Sequence, residues 1–594
     1  MDFYTYDADI ILEREDKMKR FTSCLLIAVM LIALIPFSAV TVSAEVWDGS
    51  VASGFASGKG TENDPYIIMT AAQLAFLAEK VTNGNKYYEM FFELGADIVI
   101  NDTSRTDWMN DAKKFSPIGN SSYSFRGFFN GKKHTISGLY INSKLSCVGL
   151  FGKTIDGGIE NVIIENAYIS GGDCVGGIVG DCGDVIIENC SFSGTVVGNG
   201  DKVGGIVGEG DVYIPVKNCT SAGSVTGQGY VGGIGGGSYF NATECSNSAR
   251  VSGTHHVGGV VGGGGTVTKC SNTGYVTGTG FYAAGIAGYA QVTENCVNFG
   301  DVNGIDDVCG ISPRGTVSNC ENNGYIVGDY SVAGIVSGGD ATNCINTGDV
   351  KAKSSTGNCA GITCSGNAYQ CKNSGNISSL GDCTGGIVGR MFENKVVAQC
   401  YNTGDVTGGM YTGGIAGWFN GTISDCYTIG DISGGRYTGG LAGLAYGVAS
   451  AARCYVMGYI SGYGIFGDAG KDAKMNYCYN GTSSSPVYSD IQMQTQSTFK
   501  TFDFDTVWTM EGNENYPYPE LRVFAKPNYM LGDVNDDGAI DQFDYILVKR
   551  HYFETRLLTD DELPRADVNQ DSVIDQFDYI LIKRHYFGTF VIGG

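Results

Sequence analysis

The chain has 594 residues, 91 of them Gly and only 10 Pro, with a formal net charge of −24. It is too long for one ordinary domain, and the absence of a Gly-X-Y period excludes collagen, so this much glycine points to a repeat fold with many tight turns. The acidic balance argues against nucleic acid and anionic membrane as partners, because phosphate binding needs basic surface; it suits calcium and an extracellular setting.

Met18-Lys19-Arg20 precedes an apolar run from Cys24 to Ile35, then Pro36 and the small-residue site Val42-Ser43-Ala44. This is the pattern of a secretory signal over residues 1–44, and it places the mature start at Glu45 and the true translation start at Met18. The alternative is an uncleaved anchor, since Phe21 to Val42 is nearly long enough to span a bilayer. Once the signal is cleaved, no membrane insertion is expected.

Residues 45–145 suit an N-terminal cap for a stack of repeats. Leu74, Leu77 and Val81 recur at helical spacing, and Gly84 is a stop signal.

Between residues 146 and 480 the cysteines form a ladder. Twelve of the 20 fall in one register, from Cys190, Cys219, Cys245 and Cys270 to Cys454 and Cys478, at gaps of 24 to 29 residues. In the first eleven units the residue at +6 is always Val or Ile, the residue at +4 is Gly in ten, and the residue at +2 is Asn in seven. These offsets are all even, so Cys, Asn, Gly and Val/Ile share one strand face, and the Val/Ile makes it the buried one. Each unit adds a second apolar run such as Val203-Gly-Gly-Ile-Val-Gly208. A unit of about 25 residues cannot bury such a face alone, but stacked units can. The expected fold is mainly β: a parallel β-helix of about 12 coils with end caps. Neighbouring coils would set the cysteine Cβ atoms about 4.8 Å apart, too far for a disulfide, so the ladder reads as buried thiols. Inward Asn side chains can pass amide hydrogen bonds up the stack. The partners of off-ladder cysteines such as Cys174, Cys182, Cys359 and Cys364 stay open.

The VGGIVG-type runs followed by Cys-x-Asn-x-Gly-x-Val resemble GLUG-motif repeats of bacterial surface and secreted proteins. That resemblance implies adhesion or surface display more often than catalysis.

If the ladder cysteine faces in, the next residue faces out. Tyr401, Tyr427, Tyr455 and Tyr479 then form an outward column, with Asp405 and Asp431 beside it. Rings next to carboxylates suit sugar stacking and hydroxyl hydrogen bonds; a purely stabilising aromatic ladder is the alternative. No catalytic residue is assigned. The rival to a binding module is a polysaccharide lyase or glycoside hydrolase on the β-helix, and its best candidate is the irregular coil Asn303–Gly315 with Asp306, Asp307 and Arg314. Adjacent strand residues face opposite ways, so this carboxylate pair fits the chemistry poorly. His255 and His256 read as surface residues without a third metal ligand.

Residues 481–528 serve as a C-terminal cap and linker. The last segment, 529–594, says almost the same thing twice: the stretches beginning at Gly532 and Ala566 lie 34 residues apart and differ at five of 22 positions. Asp533, Asn535, Asp537, Asp541 and Asp544 occupy positions 1, 3, 5, 9 and 12 of a calcium loop, with the Ala539 carbonyl at position 7. Asp567, Asn569, Asp571, Asp575 and Asp578 repeat them, with the Val573 carbonyl. Gly538 supplies the sharp turn at position 6, where the second loop has Ser572. A helix follows each loop and none precedes it.

Two loop-helix copies of this kind resemble a type I dockerin. The resemblance implies two Ca2+ ions and docking onto a cohesin module of a scaffoldin, as in cellulosome-type assemblies. It places the cohesin contacts at Gln542, Phe543, Lys549 and Arg550, and again at Gln576, Phe577, Lys583 and Arg584. The sequence therefore reads as a secreted, cell-surface or cellulosome-associated protein whose solenoid binds polysaccharide or a surface glycan or acts as an adhesin.

Overall fold

The computed structural model describes residues 45–592 apart from 212–213, 238–239, 463, 483–486, 511–516, 526–529, 560–561 and 570–572. The signal segment 1–44 thus lies outside the described residues. Among the described residues no helix is long and apolar enough to cross a membrane.

The fold is a parallel β-solenoid followed by a small helical region. One coil runs through His255–Gly258, Gly264–Thr268, Ser271–Asn272 and Val276–Gly278. Every strand pairs in parallel with its counterpart one coil on: Val257 opposite Ala283, Val267 opposite Thr293, Asn272 opposite Asn298 and Val276 opposite Val302. The stack has about 16 turns, more than the cysteine ladder counts, because it starts earlier. Tyr66–Ile68 pairs with Phe91–Leu94, that strand with Phe128–Asn130, and that one with Phe151–Glu160. These first coils fill the lumen with Phe92, Phe129 and Ile136 rather than Cys and Asn, so they carry no ladder signal. At about 4.8 Å per coil the stack is roughly 77 Å long.

The helix expected in the first segment forms as α1, Ala71–Thr82. The Thr70 hydroxyl caps it by accepting from the Gln73 N–H at 3.3 Å, as N-cap residues do. Its buried face (Leu74, Leu77, Ala78, Val81) joins the same continuous core as the coils. Gly84 comes next at φ 99°, left-handed backbone that suits glycine.

The lumen carries an amide column. Asn247 donates through Nδ2 to Oδ1 of Asn272 at 2.9 Å, Asn272 to Asn298 at 2.9 Å, Asn298 to Asn322 at 2.8 Å, Asn322 to Asn346 at 2.8 Å, and so on through Asn373 to Asn402. Each amide also bonds its own backbone two residues on, as Asn322 does to the Gly324 carbonyl at 3.0 Å. None of these seven side chains is exposed to solvent, so every polar atom must find its partner inside the protein. Thr428 ends the run, accepting from Asn402 at 3.3 Å. Opposite the column stand glycines: a Cβ at Gly259 would collide with the Gly285 carbonyl and the Asn272 side chain, and one at Gly285 with Asn298. Every described cysteine is a free thiol, and the ladder thiols are buried down to Cys454. Each donates weakly to the carbonyl two residues before it, as Cys270 does to Thr268 at 3.3 Å. The residue preceding each ladder cysteine is left-handed, from Asn189 at φ 55° through Asn295, Asn319 and Asn343 to Arg453 at 53°. That is the corner that turns the chain into the cysteine strand.

The tyrosine column is where structure and expectation part. Tyr401, Tyr427, Tyr455 and Tyr479 do leave the coil on the side away from the cysteines, and they belong to a separate apolar cluster. Tyr401 stacks on Tyr427 at 4.7 Å and Tyr427 on Tyr455 at 4.9 Å, with planes within 4°. They are not free to meet a sugar, because Phe499, Phe502, Trp508 and Leu521 pack over them and leave Tyr455 0% and Tyr401 7% exposed. The cover is fixed by polar contacts. Tyr455 Oη donates to the Pro519 carbonyl at 2.6 Å, and Trp508 Nε1 donates to Asp425 at 3.3 Å, itself held by Arg453 through two bonds of 2.6 Å. Phe499, Phe502, Trp508 and Leu521 therefore lie across this column, and it is a packing ladder. Asp405 and Asp431 are exposed but serve as stitches: Asp405 Oδ1 accepts from the Asp431 N–H at 2.9 Å, and Asp431 Oδ1 from the Tyr459 N–H at 2.8 Å.

Asn322→Ala should destabilise the solenoid by about 2–3 kcal/mol, the cost of stranding buried amide groups; Asn322→Asp, which buries a charge, should cost more. Both are read from denaturant midpoints. Tyr455→Ser should cost about 3 kcal/mol and expose 487–525 to limited proteolysis, while leaving binding to polysaccharide unchanged.

Candidate functional site

The coil at Asn303–Gly315 places Asp306 and Asp307 on the strand Asp306–Cys309. Asp307 is turned left-handed, at φ 52°, and its carboxylate pairs with Arg314 at 2.9 Å. Burial pushes the Asp307 carboxyl up, and Arg314 pulls against that. Asp307 is held by this ion pair, while Asp306 Oδ1 accepts from the Asp307 N–H at 2.9 Å. His255 and His256 bring their Nδ1 atoms to 3.2 Å, and the His256 ring stacks on Tyr230 at 4.4 Å. Burial drives the His256 pKa down to about 4, with His255 adding to the effect, so the ring is neutral at pH 7.

The C-terminal region is built on two helices, α2 (Gln542–Tyr552) and α3 (Gln576–Tyr586). Both start the same way. The Asp541 side chain accepts from the Phe543 N–H at 2.7 Å, and Asp575 does so from Phe577 at 2.7 Å. The reciprocal half of each capping box is the position-12 carboxylate: Asp544 accepts from the Asp541 N–H, and Asp578 from the Asp575 N–H. Around a core of Val534, Val548, Leu558, Ala566 and Ile582 the copies meet as a pseudo-twofold. Tyr545 faces Tyr586 at 6.3 Å and Tyr579 faces Tyr552 at 6.4 Å, both at 47°. His551 Nδ1 accepts from the Leu558 N–H at 3.0 Å, and His585 Nδ1 from Ile592 at 3.0 Å. The repeated histidines and tyrosines thus hold the module together.

In the first loop, Asp533 and Asp544 are buried carboxylates, 2% and 0% exposed, and no described ion pair reaches either. Asp533 accepts from the N–H groups of Asp537 and Gly538 at 3.1 and 2.9 Å; Asp544 Oδ1 accepts from Val534 at 2.7 Å and Asn535 at 3.2 Å. Burial raises the Asp544 carboxyl, backbone N–H groups lower it, and the nearby Asp533 raises it again. Gly538, at φ 86°, makes the turn. Among the described residues no three acidic, His or Cys side chains already converge as a metal centre. The donor set nonetheless fits calcium: oxygens only, two of them buried carboxylates without a countercharge, wrapped by a glycine turn. In the second loop Asp578 Oδ1 accepts from Val568 at 3.0 Å and Asn569 at 3.4 Å, and the Asp578 carboxyl is raised by burial in the same way, while Asp567 is half-buried and Asn569 and Val573 are exposed; Asp571 and Ser572 lie outside the described residues.

The eight expected contact residues are all exposed: Gln542, Phe543, Lys549 and Arg550 on α2, and Gln576, Phe577, Lys583 and Arg584 on α3. Phe543 and Phe577 are equally so, at 56% each. Neither ring is needed by the small core.

Comparison with known proteins agrees for this region. Residues 531–586 match the dockerin type I domain. Elsewhere the chain is similar to halomucin of Haloquadratum walsbyi, 33% identical over 200 residues, which are 33% of this chain and 2% of halomucin. It is also similar to a provisionally named Gly-rich membrane protein of Evansella cellulosilytica, 31% identical over 160 residues, 26% of this chain and 17% of that protein. The chain thus spans only a small part of these curated relatives. A solved structure of a provisionally named immunoglobulin A1 protease from Bacteroides ovatus aligns over 55% of this chain and 80% of its own, at 20% identity and a TM-score of 0.32. The chain is a parallel β-solenoid that carries a dockerin type I domain at residues 531–586.

Proposed function

We propose that this is a secreted component of a cellulosome-type, polysaccharide-degrading assembly. Its dockerin, ordered by two calcium ions, plugs into a cohesin module of a scaffoldin, and its GLUG-type solenoid is the cargo that holds polysaccharide or a surface glycan. The observation that carries the docking half is the pseudo-twofold. The two helices expose the same Gln-Phe and Lys-Arg pairs, so either copy presents one and the same surface to a partner. When bound, calcium supplies positive charge to the buried carboxylates of each loop. Asp533, Asn535, Asp537, Asp541 and Asp544 would hold one ion, with the Ala539 carbonyl, and the equivalent six groups of the second loop the other. The chain's own work is to place α2 and α3 back to back with their basic ends exposed. The match of the terminal region to a dockerin and the acidic surface support an extracellular location.

Because metal binding and folding are linked in such modules, chelation should make residues 530–592 protease-sensitive while the solenoid stays resistant, and added Ca2+ should restore protection. Mass spectrometry of the fragments decides this; equal cleavage with and without calcium would count against it. With a panel of cohesin modules and Ca2+, Lys549→Ala/Arg550→Ala alone and Lys583→Ala/Arg584→Ala alone should each keep binding within about twofold, the statistical factor for losing one of two faces. The fourfold variant should lose about 100-fold or more, as expected when desolvated charged contacts are removed. Calorimetric titration reads both. Loss on a single pair would mean one fixed face.

A further inference from the structure

Successive coils set equivalent residues in columns on the sheet that begins with Val175–Gly176. One column reads Gly229, His255, Phe281, Asp306, Tyr330. Phe281 and Tyr330 are 46% and 42% exposed and stand two coils apart, about 9.6 Å at the spacing of paired strands. The shorter Asp306 lies between them. One face of Phe281 is covered by His255, at 5.3 Å and 10°; Tyr282 and His256 meet the ring at close to right angles, at 5.1 and 5.5 Å, and the next strand on its other side carries Asp306. Among the described residues no ring or cation packs on Tyr330. Asp306 uses Oδ1 to accept from the Asp307 N–H at 2.9 Å, and its other oxygen has no described partner. Arg314 cannot turn into this slot freely, since it is paired with Asp307 and lies over the Tyr282 ring at 5.3 Å.

We propose that the slot between Phe281 and Tyr330 is a saccharide subsite for a neutral polysaccharide. A sugar ring lies on the free face of Phe281, its hydroxyls donate to Asp306, and Tyr330 closes the other side. The inference deepens the reading of the solenoid as a polysaccharide-binding cargo and rests on it. The chemistry selects the ligand class. A wholly apolar ligand would bury Asp306 without a partner. An anionic one would meet that carboxylate in a chain of net charge −24. A neutral ring with an apolar face and hydroxyl edges satisfies both groups. A second aromatic group, Phe392, Trp418 and Tyr446, offers less. Arg390 already lies over the Phe392 and Trp418 rings at 5.1 and 4.8 Å, and Trp418 stacks on Tyr446 at 5.9 Å.

The test uses the full chain with Ca2+ in affinity electrophoresis against soluble β-glucan, xylan and mannan, with polygalacturonate as the acidic comparison. Wild type should be retarded by at least one neutral polymer. Phe281→Ala/Tyr330→Ala should weaken that by about tenfold or more, the size of lost ring stacking and area. Tyr330→Phe should keep binding and Tyr330→Ala alone should weaken it; Tyr330 is 42% exposed and carries no described ring or cation contact, so this variant is the readout if the double one fails to fold. Resistance of the solenoid to limited proteolysis is the fold control. Unchanged retardation of Tyr330→Ala and of the double variant overturns the site while leaving the polysaccharide reading intact. No retardation of wild type by any polymer overturns both, and preference for polygalacturonate overturns the neutral assignment.

Discussion

A buried amide has no freedom to be slightly wrong. Each lumen asparagine from Asn247 to Asn402 is cut off from water, and its hydrogens and lone pairs are satisfied by its own turn and by a polar side chain at the same height in the next coil, an amide at every step but the last, where Thr428 serves. Register is set by this, because a slip of one residue would turn the amide outward and strand its neighbours. So is the glycine content. The amide fills the lumen opposite the apolar run, and Gly259, Gly285 and their equivalents have no room for a Cβ. The thiols beside the amides add small, weakly donating volume. The three residue types that dominate the repeat are therefore one packing solution, with asparagine as the member that tolerates no substitute.

The helical terminus uses repetition differently. In the solenoid a copy stacks on a copy and buries it. In the dockerin a copy turns its back on the other through Tyr545–Tyr586 and Tyr579–Tyr552 and leaves both outer faces in solvent. The first arrangement makes a scaffold whose interior is self-sufficient, and the second makes a surface that exists twice. Capping chemistry joins the two halves of each copy: the carboxylate that closes the loop also starts the helix.

What the sequence could reveal tracks how local the physics is. The loop positions lie within twelve residues, so both repeated loops and the helices after them were readable. The ladder was readable because Cys, Asn, Gly and Val/Ile keep fixed even offsets. The first coils escaped because Phe92 and Phe129 fill the same space without the same letters. The tyrosine column shows a different limit. Parity correctly sent Tyr401, Tyr427, Tyr455 and Tyr479 out of the coil, but no local rule says that Trp508 and Phe502, dozens of residues later, return to cover them. A signal was present and passed over: the residue before the ladder cysteine is Asn at 189, 218, 295, 319 and 343, the side chain most tolerant of the left-handed corner found there. The column of Phe281, Asp306 and Tyr330 was hidden for the opposite reason, since its letters change from coil to coil and only the register aligns them.

The amide column also has a bearing on how such a chain changes over generations. Any coil bearing asparagine at the shared position can be inserted or deleted between Asn247 and Asn402, and the amides on either side simply bond the newcomer or each other. Length is then adjustable in whole steps of about 4.8 Å, by unequal recombination between similar repeats, with no repair needed elsewhere. From Tyr401 onward, where the covering segment packs on the stack, the same event would leave a tyrosine ring bare. Growth is free in the middle of the stack and forbidden at that end.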